Sequence, residues 1–351
     1  MRQIVVGVLF GFVGVVAIAQ GEEPYRVYWA DAGNGFPDPE GTGRITRASI
    51  DGSRVEVVYT HTFEDPIGIG LDWRRRKMYW TSTPCTCIMR SNLDGSDAEL
   101  ILEWDLFEAT LGDIAVDGTG KKIYWTDQVM EKIRRANLDG SDVEDLVTIP
   151  VKNGADSAVF GISLDITNDL FYWSDIRMDV IGRANLDGSD PVIFSSDPNK
   201  PSDVRIAPEL NSLFYTDFNL GVRSIDVCSG EIDLIALDNP VIGLWIDRPS
   251  LDLFWTRFSP FLEPETGAIR IATYPDYTIQ DVVPTGLEVP FFVEVLPDEI
   301  DLSDFAAFIG CLTGPGVGAP PGCESSDFDN DGDVDFADFG RLQLAFTGPF
   351  D

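Results

Sequence analysis

The sequence predicts a mostly β chain, a six-bladed β-propeller, on three observations. The first is a short aromatic motif in six copies: Tyr28-Trp29-Ala30-Asp31, Tyr79-Trp80-Thr81-Ser82, Tyr124-Trp125-Thr126-Asp127, Tyr172-Trp173-Ser174-Asp175, Phe214-Tyr215-Thr216-Asp217 and Phe254-Trp255-Thr256-Arg257. Their first residues lie 51, 45, 48, 42 and 40 positions apart. A strand-bearing repeat of roughly 40–50 residues is the signature of one propeller blade. The second is an acid seven residues before the pair, at Asp72, Asp117, Asp165 and Asp247, with Ala207 in its place before Phe214. The third is Asp-Gly fifteen residues after the first aromatic, at Asp94-Gly95, Asp139-Gly140 and Asp187-Gly188, each within Asn-Leu-Asp-Gly-Ser-Asp.

The elements follow in order. Residues 1–19 read as a signal peptide: Met1-Arg2 is basic, Ile4–Ala19 is apolar, and Ala17-Ile18-Ala19 is a small-x-small cleavage pattern. The apolar run of 16 residues is shorter than the ~20 that a spanning helix needs. The mature chain is expected to begin near Gln20, to be exported and to have no membrane span. Within a blade, Ile114-Ala115-Val116 and Lys122–Thr126 read as two strands, and Ile133–Asn137 and Val143–Ile149 as the next two. The Asp-Gly pair between the last two predicts a tight I′ turn, with positive φ at both central residues. The Tyr-Trp pairs alternate along a strand and are read as inter-blade packing. The acids at 72, 117, 165 and 247 are read as turn residues.

The motif at Tyr28 has no strand of its own before it, and Pro290–Val295 is a strand with no hairpin of its own. Pairing 290–296 with 25–31 would close the ring and remove two open edges. This places the propeller at 20–296. Composition agrees: 351 residues, 44% hydrophobic and 11% aromatic, suffice for a large core and a small second domain.

The Asp–turn–Tyr-Trp-Thr-Asp–Ile-x-Arg-x-x-Leu-Asp-Gly-Ser pattern resembles the YWTD propeller of the low-density lipoprotein receptor family over roughly residues 25 to 296. Copies at 79, 124 and 172 match it closely. At 214, Cys228-Ser229-Gly230 replaces Leu-Asp-Gly and Arg223 is out of register. At 254, Ile269-x-Ile271 and an insertion replace the turn. The resemblance implies a platform for an extracellular protein or glycan.

Net charge is −34. Phosphate binding needs clustered Lys and Arg, so nucleic acid is excluded as a partner. The one basic run, Arg74–Lys77, falls in a blade turn.

Residues 297–351 form a separate acidic unit with twelve acids and one base, Arg341. Asp327, Asp329, Asp331, Asp333, Asp335 and Asp338 stand at positions 1, 3, 5, 7, 9 and 12 of a calcium loop, with Gly332 at position 6. Calcium takes six to eight hard oxygens, and this spacing wraps carboxylates and the carbonyl of Asp333 around one ion. Pro320–Ser326 cannot form an entering helix, whereas Phe336, Phe339, Leu342 and Phe346 suit an exiting one. A loop followed by one helix resembles the bacterial type I dockerin repeat, which implies a cohesin-like partner. Ile300–Phe305 matches Val334–Phe339, but Val293, Val295 and Pro297 stand where the first ligands would be. One calcium is therefore expected.

Of five cysteines, Cys311 and Cys323 flank a Pro/Gly linker, and a disulfide there would staple a thin core. Cys85 and Cys87 either pair or stay as thiols, and Cys228 is expected to be buried. The sequence shows no nucleophile elbow, phosphate loop or catalytic His set, with His61 read as a loop residue. No catalytic residue is assigned, and whether the chain is an enzyme stays open. Two readings remain. One is an exported, monomeric binding protein of a bacterial surface, periplasm or medium, with a calcium-dependent attachment module. The other is a secreted carbohydrate-active hydrolase or lyase that uses the propeller channel and is tethered by the tail.

Overall fold

The first sheet begins with β1 (Val27–Asp31), β2 (Arg44–Ala48) and β3 (Val55–Thr60). Four blades follow with one chain order. They are β4 (Asp65–Asp72), β5 (Lys77–Thr83), β6 (Cys87–Asn92) and β7 (Glu99–Glu103); β8 (Leu111–Asp117), β9 (Lys122–Asp127), β10 (Lys132–Asn137) and β11 (Glu144–Thr148); β12 (Val159–Asp165), β13 (Leu170–Asp175), β14 (Val180–Asn185) and β15 (Val192–Ser195); and β16 (Pro201–Ala207), β17 (Ser212–Asp217), β18 (Gly221–Asp226) and β19 (Ile232–Leu237). The last complete blade is β20 (Val241–Asp247), β21 (Asp252–Arg257), β22 (Gly267–Thr273) and β23 (Thr278–Leu287), and β24 (Pro290–Val295) ends the array.

The computed structural model describes residues 27–31, 43–61, 65–83, 85–105, 108–149, 157–196, 198–247, 250–257, 267–287 and 290–295. The expected signal peptide at 1–19 and the dockerin-like unit at 297–351 lie outside the described residues.

The described strands make six four-stranded antiparallel sheets, and one of them has the order β24-β1-β2-β3. Val27 stands opposite Val295 and Trp29 opposite Val293. The ring thus closes as the orphan strand predicts. The inner strands β4, β8, β12, β16, β20 and β24 touch one another in cyclic order around the axis.

Each letter of the aromatic motif has its own duty. Successive side chains on a strand point to opposite faces, so the two aromatics of one copy enter different inter-blade clusters. Tyr28 packs in the cluster of Trp80, and Tyr79 in that of Trp125. Tyr124 joins Trp173, and Tyr172 joins Tyr215. Phe214 joins Trp255, and Phe254 joins Trp29. Six clusters, each pairing the first aromatic of one blade with the second of the next, carry the core around the ring. All twelve aromatics are 2% exposed or less.

The third letter staples neighbouring blades. Thr81 Oγ1 accepts from Gly68 N–H at 2.8 Å and donates to the Gly112 carbonyl of the next inner strand at 2.6 Å. Thr126 donates to Phe160 O, Ser174 to Ser202 O and Thr216 to Ile242 O. A hydroxyl is required because it both accepts and donates. The fourth letter closes the next turn: Asp127 accepts from Met130 N–H, Asp175 from Arg177 and Met178, and Asp217 from Asn219.

The recurring arginine is a brace. Arg47, Arg90 and Arg135 stand opposite Tyr28, Tyr79 and Tyr124. Their Nη1 atoms donate to Leu93, Leu138 and Leu186 carbonyls in the next blade's Asn-Leu-Asp-Gly loop, at 3.1, 2.8 and 2.8 Å. Arg223 instead stands opposite Tyr215, one position out, as the sequence indicates.

Two expectations are corrected. The Asp-Gly hairpins are not I′ turns: Gly95, Gly140 and Gly188 have φ of 79°, 82° and 83°, but Asp94, Asp139 and Asp187 stay at negative φ. The turn closes from Gly95 N–H to Asn92 O at 2.9 Å, so glycine follows the central pair. Six residues separate the strands at 93–98, 138–143 and 186–191, too many for a two-residue turn. The acids accept from Ser96, Ser141 and Ser189 N–H instead. Cys228, expected to be buried, is exposed. It sits in the β18–β19 turn, one residue past Val227, whose N–H bonds Asn211 O as the Leu93 N–H bonds Arg76 O, so Val227 takes the inward leucine position and Cys228 faces out. Cys85 and Cys87 form a disulfide. The acids at 72, 117 and 165 cap turns through Arg75, Thr119 and Asn168 N–H, as read.

Candidate functional site

None of Asp327, Asp329, Asp331, Asp333, Asp335, Asp338, Cys311 and Cys323 lies among the described residues. His61 directly follows β3 and is exposed. Among the described residues no group of three or more His, Cys, Asp and Glu side chains is arranged to hold a metal ion.

The disc has two unlike faces. Inner strands begin at what we call the upper face and end at the lower one. On the lower face the inner-strand turns 73–76, 118–121, 166–169, 208–211 and 248–251 all hold four residues. The outer hairpins there, from 49–54 to 274–277, hold six to four. On the upper face the connections run from two residues at 288–289 to ten at 149–158 and twelve at 32–43. Loop length varies little on the lower face, from four to six residues, and widely on the upper one. Val27 and Val295 pair on the lower face, so both ends of the ring are there.

The axis carries a buried ion cluster. The residues before and after the centre of each inner strand face the neighbouring inner strands. Half of these twelve positions are small: Gly68, Gly161 and Gly243, then Gly70, Ala115 and Ser163. A Cβ on Gly161 would lie 2.7 Å from Asp203 Cα, so the close approach of inner strands requires glycine there. Four positions break this pattern with charge: Asp113 on β8, Asp203 and Arg205 on β16, and Glu294 on β24. Asp113 and Asp203 are fully buried, and Arg205 and Glu294 are 5% exposed.

Arg205 Nη1 lies 2.6 Å from Asp203 Oδ1 and 3.2 Å from Asp113 Oδ2. It also donates to Ile162 and Val204 carbonyls. Each carboxylate crosses to the next inner strand: Asp113 accepts from Ile162 N–H at 3.3 Å, Asp203 from Leu244 at 2.7 Å and Glu294 from Leu71 at 2.9 Å. One cation thus faces three carboxyl groups. Burial pushes Asp113 up to about 6, against the pull of Arg205 and of the Ile114 and Ile162 N–H groups. Burial also raises Asp203 and Glu294 well above the carboxylate range, with Arg205 opposing. Burial disfavours the Arg205 cation, but Asp203, Asp113 and Glu294 outweigh it and raise its pKa.

Above the cluster the channel has an apolar cap. Ile67, Ile242 and Phe292 are buried there, with Phe160 and Phe218 partly buried against them. The rings of Phe160 and Phe292 are 5.3 Å apart. Further out on the upper face, Trp104, Glu108, Val129, Met130 and Arg134 line a shallow groove. The Arg134 guanidinium sits 5.4 Å from the Trp104 ring and 5.8 Å from Trp125. Val129 and Met130 are about half exposed.

The axial cluster is absent from the sequence reading. Part of its signal is present: at the positions eleven and nine residues before the aromatic pair, the inner strands carry small or apolar residues except at Asp113, Asp203 and Arg205; Glu294 joins them only through the pairing of β24 with β1.

No family model matches the chain. A curated relative, mouse Nidogen-2, is 36% identical over 77 residues, 21% of this chain. The chain spans about 5% of that protein's length. A solved chain from the crystal structure of a nidogen/laminin complex matches with a TM-score of 0.64 and 18% identity, over 77% of this chain and 98% of that one. TolB from Acinetobacter baumannii matches with a TM-score of 0.60 and 12% identity, over 78% of this chain and 67% of that one. A putative TolB from Agrobacterium tumefaciens matches at 0.56 and 10%, over 78% and 99%. These likenesses show the fold, a six-bladed β-propeller with a structural match in nidogen.

Proposed function

We propose that the chain is an exported, non-enzymatic binding protein. Its propeller recognises a macromolecular partner through the upper face, and its tail is a calcium-dependent attachment module. The observation that carries this is the asymmetry of the faces: lower turns are nearly constant in length, whereas upper connections range from two to twelve residues. Loops that vary over a rigid frame are where recognition is placed. Val295, from which the tail continues, lies on the lower face, so attachment there leaves the upper face opposite.

The structural match in a nidogen/laminin complex supports a protein partner. The tail's acids at 327, 329, 331, 335 and 338, with the carbonyl of Asp333, suit a hard cation such as calcium. Export rests on the 1–19 segment. Among the described residues no helix is long and apolar enough to cross a membrane.

A channel hydrolase is disfavoured by the geometry of the axis. Its three carboxyl groups hydrogen-bond backbone N–H groups of the next strand, and an apolar cap covers them. The test uses the whole mature protein, with and without calcium, as bait against the producer's medium and envelope fractions. Shortening 104–110 or 128–131 on the upper face should abolish capture. Shortening 138–143 on the lower face should not. Turnover of a glycoside, lactone or uronate that is lost in Asp113→Asn would overturn the reading.

A further inference from the structure

We infer that Glu294 is a proton-dependent latch on the ring-closing strand: in its neutral form it links β24 to β4 through the Leu71 N–H at no cost in buried charge, and loss of the proton leaves a buried charge that loosens the seam. β24 is the one inner strand with no chain connection to the strand it pairs with. Its place depends on pairing with β1 and on contacts with β4 and β20. Glu294 supplies the polar link across the seam to β4, accepting from Leu71 N–H at 2.9 Å.

The three axial carboxyl groups are unequally compensated. Asp203 accepts from Arg205, Val204 N–H and Leu244 N–H. Asp113 accepts from Arg205, Ile114 N–H and Ile162 N–H. The ion pairs of Arg205 run to those two, at 2.6 and 3.2 Å. Glu294, 5% exposed, has the bond from Leu71. Arg205 opposes the proton on Glu294, but its ion pairs are made with Asp113 and Asp203; a buried carboxylate without an ion pair of its own is held neutral, so the proton belongs on Glu294.

The charges that act on it are Arg205, which opposes the proton, and Asp113 and Asp203, which favour it; of the other strands packed against β24, β20 ends on Asp247, β21 begins on Asp252 and ends on Arg257, and β22 carries Arg270. Among the described residues β12 offers Ser163 and β20 offers Trp245. On β4, Asp65 and Asp72 stand at the two ends, and Asp72 is paired with Arg75 at 2.8 Å. On β1, Tyr28 stands opposite Glu294, and Arg47 stands opposite Tyr28 on β2. Burial, with Asp113 and Asp203 adding to it, raises Glu294 in the folded chain. A group raised by folding contributes stability that is fully present below its unfolded pKa, roughly 4.3. That contribution is lost as pH rises through the folded value.

The test compares thermal melts of the whole chain with those of Glu294→Gln from about pH 5 to about pH 9. Gln keeps an acceptor for Leu71 N–H and cannot ionise. The wild-type melting temperature should fall relative to the variant by roughly 2–3 °C per pH unit across the titration. Parallel profiles would overturn the latch. Asp113→Asn provides a second reading, because removing one neighbouring negative charge that raises Glu294 should move the fall to lower pH than in the wild type; an unmoved fall would overturn it too. Native-state hydrogen exchange locates the effect. Extra opening at high pH should appear at Val27, Trp29 and Leu71, and equal loss over all six blades would refute the assignment to the seam.

Discussion

Thr81 shows how one hydroxyl serves two blades. Its Oγ1 takes the Gly68 N–H of its own blade and gives its proton to Gly112 O of the next. Valine has the same shape and neither capacity. Thr81→Val should destabilise the propeller by on the order of 2 kcal/mol, because two buried backbone groups lose their partner; urea unfolding measures it, and a change below about 0.5 kcal/mol would contradict the staple. Arg257 is a second instance, where the motif's aspartate has become a base. Asp238, from the preceding connection, takes over: its Oδ2 accepts from Trp255 Nε1 at 2.8 Å and lies 2.9 Å from Arg270 Nη1, and its Oδ1 is 3.4 Å from Arg257. Asp238→Ala should cost about 2 kcal/mol, less than the ~3–5 of a fully buried pair, because the Arg270 and Arg257 side chains keep 26% and 36% exposure. Asp238→Asn should recover part of the loss by restoring the acceptor for the indole.

At the scale of elements, the ring is only as closed as β24. Phe292 and Val293 are fully buried in two different inter-blade clusters, so removing the strand empties both. It also bares the edge of β1, and an exposed edge invites pairing with another chain. A chain of 20–296 should melt in one cooperative transition and run as a monomer. A chain of 20–289 should lose that transition and associate, as read by calorimetry and by light scattering on a sizing column. Equal behaviour of the two would show that closure does not depend on β24. The hairpins make a related point. Asp94, Asp139 and Asp187 lie below the usual carboxylate range because Ser96, Ser141 and Ser189 hydroxyls and N–H groups bind the charged form. The residue pair that signals a hairpin is thus held by a side-chain cap and by glycine just after the turn's centre.

For the whole molecule, the proposed tail predicts calcium dependence independent of the disc. Calorimetry on the full chain should show one calcium site, and Asp327→Ala combined with Asp331→Ala should remove it while the propeller's melting transition stays in place. Two equal sites, or unchanged binding in that variant, would refute the assignment. A Cys311–Cys323 bridge would add roughly 3 kcal/mol to the tail in the loop-entropy model, and peptide mapping that finds both thiols free in exported protein would exclude it.

The sequence by itself determined blade number, strand order within a blade and ring closure. Those follow from local periodicity and from counting: an aromatic pair, an acid seven residues before it and Asp-Gly fifteen residues after its start recur because every blade solves the same packing problem. It also located Arg223 out of register, since register is a matter of spacing. Only the tertiary structure decided what lies on the axis. Asp113, Asp203, Arg205 and Glu294 come from three blades and up to 181 positions apart, between 113 and 294, and each alone reads as an ordinary polar residue on a strand. The exposure of Cys228 and the substitution of Asp238 for a motif aspartate belong to the same class. The asymmetry of the faces also appeared only once the strand ends were fixed in space. In each case the deciding partner stands on another blade or connection, and a repeat read along the chain carries no measure of which charges converge when the ring is closed.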